Sequence, residues 1–368
     1  MSVEEAGKRE ISVRILWLAH RDPFAQNAGG AERTVLAVTS ELFAMGHEVE
    51  VVCGADRALE PFTVDGVRFR RFKGGLGPHL ALPAILKNSG SRTTVVDDLA
   101  HVVPWISHRL GSARTVVFFR HRHGRTLGGQ VSSVAALLLS STERLYPSLY
   151  RGMPFVTESL GSARDLVALG QPASCIRQIR PGVDLVRFHP GRRAPEPRII
   201  YFAGLKPYKR PQDALLMLSE LRKRGVAASM TITGESTMLP YLRQLAEDLG
   251  LRNVVTFTGR LTDDSLAQSI RESWLSVVTS VAEGWCYAAS ESIASGVPVV
   301  AYNVPGLEES VDSRSTGILV REPSPTEMAD AALQIVENIE TWHQACQHAG
   351  RARPWQLVAK EWEEVLSG

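Results

Sequence analysis

From residue 199 onward the chain alternates between short apolar runs and helical stretches, and this alternation limits its fold more than any other feature. "IIYFAG" leads into a helix opening at Pro211, "ASMTITG" into one from about 238, "VVTFTG" into one from about 264, and "LSVVTS" into one that crosses Glu291; "VPVVAY" and "GILV" follow. Runs of this length bounded by Gly or Ser read as strands buried on both faces, and strands separated by helices pair in parallel through crossovers. The first half carries the same grammar. "RILWLA", the helical "AERTVLAVTSELFAMG" closed by Gly46, and "EVEVVCG" form a strand–helix–strand unit. "DGVRFRRF", "TTVVDDL", "RTVVFF" and "PFVTES" read as further strands, with a mostly helical segment over about 127–150. Between the halves, "RPGVDLVRFHPGRRAPEPR" has no apolar period and is broken by Pro181, Pro190, Pro195 and Pro197, so it reads as a linker.

The expected fold class is therefore α/β, with two doubly wound, Rossmann-like domains facing across a cleft. The expected boundaries are 1–187 for the N-terminal domain with a loose tail over 1–12, 188–198 for the linker, 199–350 for the C-terminal domain and 351–368 for a final helix. That helix, "PWQLVAKEWEEVL", is amphipathic, with Trp355 and Trp362 on its buried side. A length of 368 residues exceeds what one core usually supports, and 44% hydrophobic with 22% charged residues describes a globular chain. A net charge of +2 argues against a nucleic-acid partner. The cysteines Cys53, Cys175, Cys286 and Cys346 form no metal-ligand spacing, so no metal site is expected and reduced thiols of a cytoplasmic protein are. The polar start "MSVEEAGKREIS" does not read as a signal peptide, and no run approaches the length of a membrane span.

In doubly wound domains ligands meet the loops at the carboxyl ends of strands, and four such loops carry chemistry. Gly29 and Gly30 precede a helix, where bare amides can approach a phosphate or a sugar hydroxyl, or simply make a tight turn. Lys206, Lys209 and Arg210 crowd the start of the helix at Pro211, and cations there oppose the helix dipole unless an anion offsets them. His121 and His123, with Arg120, Arg122 and Arg125, follow a buried strand; they read equally as a cleft wall or as a solvated edge. Glu283 lies in the loop after "LSVVTS" and Glu291 about one turn into the next helix. The two carboxylates suit either acid/base work on a glycoside or hydrogen bonding to sugar and ribose hydroxyls.

In order along the chain, "AGGAERTVLAVTSELFAMGHEVEVVCG", "TESLGSARDLVALGQPASCIRQIRPGVDLVRFHP", "GLKPYKRPQDAL", "NVVTFTGRLTDD", "EGWCYAASESIASGVPVVAYNVPG" and the late "PW" together resemble the retaining GT-B glycosyltransferases of glycosyltransferase family four. The resemblance implies transfer of a sugar from a nucleotide diphosphate donor, UDP- or GDP-linked, to the hydroxyl of a small molecule or glycan intermediate, with no metal or other cofactor. It also implies that the last helix returns to the N-terminal domain. Carried over by position, it puts Glu291 on the donor ribose, Glu283 near the sugar, Lys209 on the diphosphate with Arg210 as a neighbour, Gly30 beside the phosphate or sugar, and His121 or His123 facing the sugar. Gly29, Gly204, Gly284, Trp285, Cys286 and Tyr287 complete the expected donor wall, and Arg260 and Leu261 border the base. This chain departs from the family pattern at Ala203-Gly204-Leu205, where a second cation is usual, and at Trp285-Cys286-Tyr287, where aromatic-Gly-Leu is usual. A non-catalytic protein with a GT-B shell and an eroded donor site is the rival expectation.

Overall fold

The computed structural model describes residues 12–368 except 26–27, 58, 91, 101–102, 112, 123–140, 322 and 350–352. In the first half the apolar runs become β1 (Arg14–Ala19), β2 (Glu48–Ala55), β3 (Leu59–Val64), β4 (Val67–Lys73), β5 (Thr93–Leu99), β6 (Arg114–Phe119), β7 (Phe155–Thr157) and β8 (Ile176–Gln178). They form one sheet in the order β3-β4-β2-β1-β5-β6-β7-β8, parallel throughout except for the β3/β4 pair. Among the described residues the helices beside it are α1 (Gly30–Ala44), α2 (Gly77–Lys87), α3 (Tyr146–Leu149) and α4 (Leu160–Leu169).

The second half adds β9 (Arg198–Tyr201), β10 (Ser229–Thr233), β11 (Val255–Gly259), β12 (Leu275–Val278), β13 (Val299–Tyr302) and β14 (Gly317–Val320). These make a wholly parallel sheet in the order β11-β10-β9-β12-β13-β14. Its helices are α5 (Pro211–Lys223), α6 (Leu239–Asp248), α7 (Asp263–Arg271), α8 (Tyr287–Ala294), α9 (Pro305–Ser310), α10 (Pro325–Glu337) and α11 (Ile339–His348). Among the described helices none is long and apolar enough to cross a membrane.

The last helix, α12 (Trp355–Ser367), leaves the second domain and packs on α1 of the first. Val358, Ala359, Trp362, Val365 and Leu366 fall on one helical face and are all buried. The Trp362 ring meets Trp17 at 4.9 Å and Phe118 at 5.0 Å, so the chain's end closes the core on one face of the first sheet. Trp355 is only half-buried and rests over Gly182.

Between 57 and 112 two elements go beyond the sequence expectation, β3 and α2. "DGVRFRRF" contains the expected strand, β4, and β3 precedes it as the first arm of a hairpin, in which Asp65 and Gly66 both adopt positive φ (49° and 80°), as a two-residue Asp-Gly turn requires. Residues 77–87 are helical despite Pro83 inside the helix, because Pro78, Leu82, Ile85 and Leu86 are buried there. Most of the expected helical segment at 127–150 lies outside the described residues; its described end contains α3.

Candidate active site

The second sheet changes winding direction at β9, whose neighbours are β10 and β12. The chain therefore leaves β9 and β12 in opposite directions and opens a crevice at their carboxyl ends, where ligands bind in sheets of this kind. From β9 come Gly204 and Lys209, and from β12 come Glu283, Gly284, Trp285 and Cys286. The start of α8 adds Tyr287 and Glu291. Facing them across a cleft of about 360 Å³ are Gly29 and Gly30 at the start of α1 and His121 just past β6. Eleven of the fourteen expected site residues thus line one cavity, whereas Arg210, Arg260 and Leu261 do not. His123 lies outside the described residues.

Hydrogen bonds to carbonyl groups hold the lysine loop. Tyr201 Oη approaches the carbonyls of Gly204 and Lys209 at 3.0 and 3.1 Å, and Thr279 Oγ1 those of Lys209 and Arg210 at 2.7 and 2.8 Å. The Lys209 ammonium is ion-paired with Glu283 Oε1, both side chains being largely buried. Burial is the largest influence and pulls the lysine's pKa down, but Glu283 together with Tyr208 and Cys286 more than offsets it and the net direction is up, so Lys209 stays charged. Arg210 has left-handed backbone (φ 47°) and its guanidinium grips Asp213 at 2.6 and 3.2 Å. That buried carboxylate also accepts from Tyr302 at 2.6 Å, so Arg210 is paired within the first turn of α5 and does not line the cleft. Lys206 is exposed; partial burial and the nearby Lys209 and Arg21 lower its pKa. Gly204, where the family pattern has a cation, lines the cleft with no side chain, and Leu205, which matches the pattern, packs into the domain core.

Glu291 meets an arginine that sequence reasoning missed. Arg33, one turn into α1, donates to Glu291 Oε1 at 3.0 Å and to Asp263 Oδ1 at 3.0 Å, bridging the two domains. Burial pushes the Glu291 carboxyl up to about 7, with Arg33 pulling it down and Asp263 adding to the rise.

The side chains of Trp285, Cys286 and Tyr287 have three different environments. The Trp285 indole donates to Ser290 Oγ at 3.0 Å. Cys286 is 2% exposed and packs with Val278, Ala289 and Leu307; burial raises its thiol pKa. Tyr287 reaches the opposite domain, donating its hydroxyl to Glu158 and sharing a hydrogen bond with Thr34.

Arg120 is buried, so at this residue the solvated-edge reading fails. It binds Asp98 through two nitrogens at 3.0 and 2.8 Å, Glu158 at 3.3 Å and the Ala31 carbonyl at 3.0 Å. Burial opposes its charge, but Asp98 and Glu158 more than compensate, and its pKa is raised. Arg33, Arg120 and Glu158 are cleft-lining groups not assigned from sequence; the strand-end segments "GGAER" and "TES" are the signal that contains Arg33 and Glu158.

Two facing Rossmann-like sheets with a lysine–glutamate pair at the second sheet's switch point define a GT-B transferase. Comparison with known proteins leads to the same class. A profile described as Glycosyltransferase Family 4 matches residues 28–187, and one described as Glycosyl transferases group 1 matches residues 184–352. A D-inositol 3-phosphate glycosyltransferase of Nocardia farcinica is 28% identical over 85% of this chain and 79% of its own length. A GDP-mannose-dependent alpha-(1-6)-phosphatidylinositol monomannoside mannosyltransferase of Mycobacterium tuberculosis is 28% identical over 53% of this chain and 55% of its own. In fold, sucrose-phosphate synthase from Thermosynechococcus elongatus superposes with a TM-score of 0.77 at 18% identity, covering 96% of this chain and 98% of that one. Anabaena HepE in complex with UDP and glucose gives 0.77 at 16% identity, covering 96% and 99%. The chain belongs to glycosyltransferase family four, the group 1 transferases, a retaining GT-B family whose members use nucleotide-sugar donors.

Proposed function

We propose that this enzyme moves a hexosyl group from a UDP- or GDP-sugar to the hydroxyl of a small molecule or glycan intermediate by a front-face path that needs no metal. The observation that carries the reading is the buried Lys209–Glu283 pair at the switch point, opposite Gly30 and His121. Lys209 and the amide of Gly30 stabilise charge developing on the diphosphate, whereas the Gly29 amide is held by Glu32 Oε2 at 2.7 Å. Glu291 accepts from the ribose hydroxyls and Glu283 from the sugar, with His121 on the sugar's other side. The bond from the anomeric carbon to the diphosphate breaks as the acceptor oxygen bonds to the same face, and the acceptor proton passes to the departing phosphate oxygen. Closure of the domains keeps water out.

The acceptor approaches from the first domain, where a cavity of about 370 Å³ at the carboxyl ends of β1, β2 and β4 carries His20, Arg21, Asp22 and Arg57. The first of the two relatives described above is named for an inositol phosphate and the second for a phosphatidylinositol mannoside. Together with the two arginines, these names support a phosphorylated polyol as the first acceptor to try.

The test is a calorimetric screen of nucleotide sugars on the wild type, Lys209→Ala and Glu291→Ala. Each variant should weaken binding of the cognate donor about 10- to 100-fold, the scale of a lost charge-assisted hydrogen bond. Undiminished binding in both would refute the site assignment. Turnover that required a divalent ion would refute the metal-free path, and donor binding with no turnover on any acceptor would favour the non-catalytic reading.

A further inference from the structure

Tyr287 stands at the first position of α8, on the same strand-to-helix loop as Glu283. Its side chain crosses the cleft into a notch built wholly from the other domain. The floor is Gly30, where a Cβ would lie 2.5 Å from the tyrosine ring, so only glycine admits the ring at this height. The end wall is Glu158, which accepts from the tyrosine hydroxyl, and the side wall is Thr34, bonded to the same oxygen. Burial and the neighbouring Glu158 hold the phenol well above its ordinary pKa, so it keeps its proton and remains a donor.

The notch is rigid because Arg120 braces it. The arginine ties Glu158 to Asp98 on β5 and to the Ala31 carbonyl on α1, so three elements share one buried cation. Arg120's own carbonyl accepts from Ser162 Oγ at 2.7 Å, at the start of α4. His121 follows directly in the chain. On the opposite side, Gly284 presses against the same carbonyl and against His121: a Cβ there would lie 2.7 Å from the Arg120 oxygen and 2.9 Å from His121 Cβ.

We propose that Tyr287 is a positioning residue that clasps the two domains, setting His121 against the Glu283–Gly284 turn in the geometry needed for transfer. The inference rests on the donor-cleft reading above for what the geometry serves; the clasp itself rests on the contacts of Tyr287, Thr34, Glu158 and Arg120. A leucine, the usual residue at this point of the family pattern, has no hydroxyl to reach Glu158. This chain therefore fixes closure through a hydrogen bond where an apolar side chain supplies only packing.

The experiment is steady-state kinetics and amide hydrogen exchange on Tyr287→Phe, which keeps the ring over Gly30 and removes only the hydroxyl. The donor KM should stay within about twofold, because Lys209, Glu283 and Glu291 are untouched, while kcat falls about tenfold, the scale of one hydrogen bond to a charged group. The fraction of donor lost to water instead of acceptor should rise. Exchange should quicken in peptides spanning 119–122 and 284–288 and stay unchanged in β9 and β10. Thr34→Val, which is isosteric, should repeat the pattern more weakly, and it carries the test if Tyr287→Phe does not fold. A raised donor KM at unchanged kcat would make Tyr287 a donor contact and overturn the proposal, as would wild-type kinetics and exchange in both variants. Failure of the wild type to bind or turn over any nucleotide sugar would refute the donor-cleft reading instead, and the exchange pattern would still decide the clasp.

Discussion

Glu291 is a buried carboxylate whose proton is contested, and this sets a pH dependence. Burial raises its pKa to about 7 against an ordinary value of 4.5, with Arg33 acting in the opposite direction. Between those two values the folded protein holds a proton that the unfolded chain has released. Stability therefore falls as pH rises through that window and levels off above it. Glu291→Gln should abolish this part of the slope: in urea melts at pH 5 and pH 7.5, the wild type should lose stability relative to the variant. Parallel behaviour of the two would show that the carboxyl is ionised throughout. At this scale the sequence singled out Lys209, Glu283, Glu291, Gly30 and one of His121 and His123, because strand-end loops and the family pattern both point to them, and the described ones line one cavity. It did not separate Arg210 from Lys209, since adjacent cations look alike until one of them grips Asp213. Arg33 and Arg120 read as ordinary charges, because the carboxylates that hold them come from distant segments.

The strands were the most legible elements, since β1, β5, β6 and β12 are almost wholly buried and their composition shows it. The elements that escaped are those whose signal is mixed. Strand β3 lies at the sheet edge and carries Pro61, while α2 contains a proline and opens after glycines. The last helix was legible from its apolar face, and its stabilising role can be weighed. Trp362 is 1% exposed between Trp17 and Phe118, so Trp362→Ala should cost about 3–5 kcal/mol, the range for deleting a large buried aromatic side chain. Urea denaturation followed by fluorescence measures this; a loss below about 1 kcal/mol would mean that the helix is not needed to close the first core.

For the molecule as a whole, polar contacts between the domains among the described residues include Arg33 with Glu291 and Asp263, Tyr287 with Glu158 and Thr34, and Glu309 with the Gly161 amide and Gln178. Ligands that bridge such domains act by shifting their closure. A nucleoside diphosphate should therefore slow hydrogen exchange in residues 204–210 and 283–291 of the second domain and leave the first sheet's central strands unchanged. Protection confined to the first domain would put the nucleotide on the wrong side. The sequence by itself determined two parallel α/β sheets and the loops that carry the chemistry, because burial on both faces and crossover winding are local consequences of residue pattern. Only the tertiary structure decided which cation faces the cleft, that Arg33 meets Glu291, and that Tyr287 spans the domains to Glu158. The last two pairings join residues more than a hundred positions apart, and proximity across a cleft leaves no mark on the pattern of either segment alone.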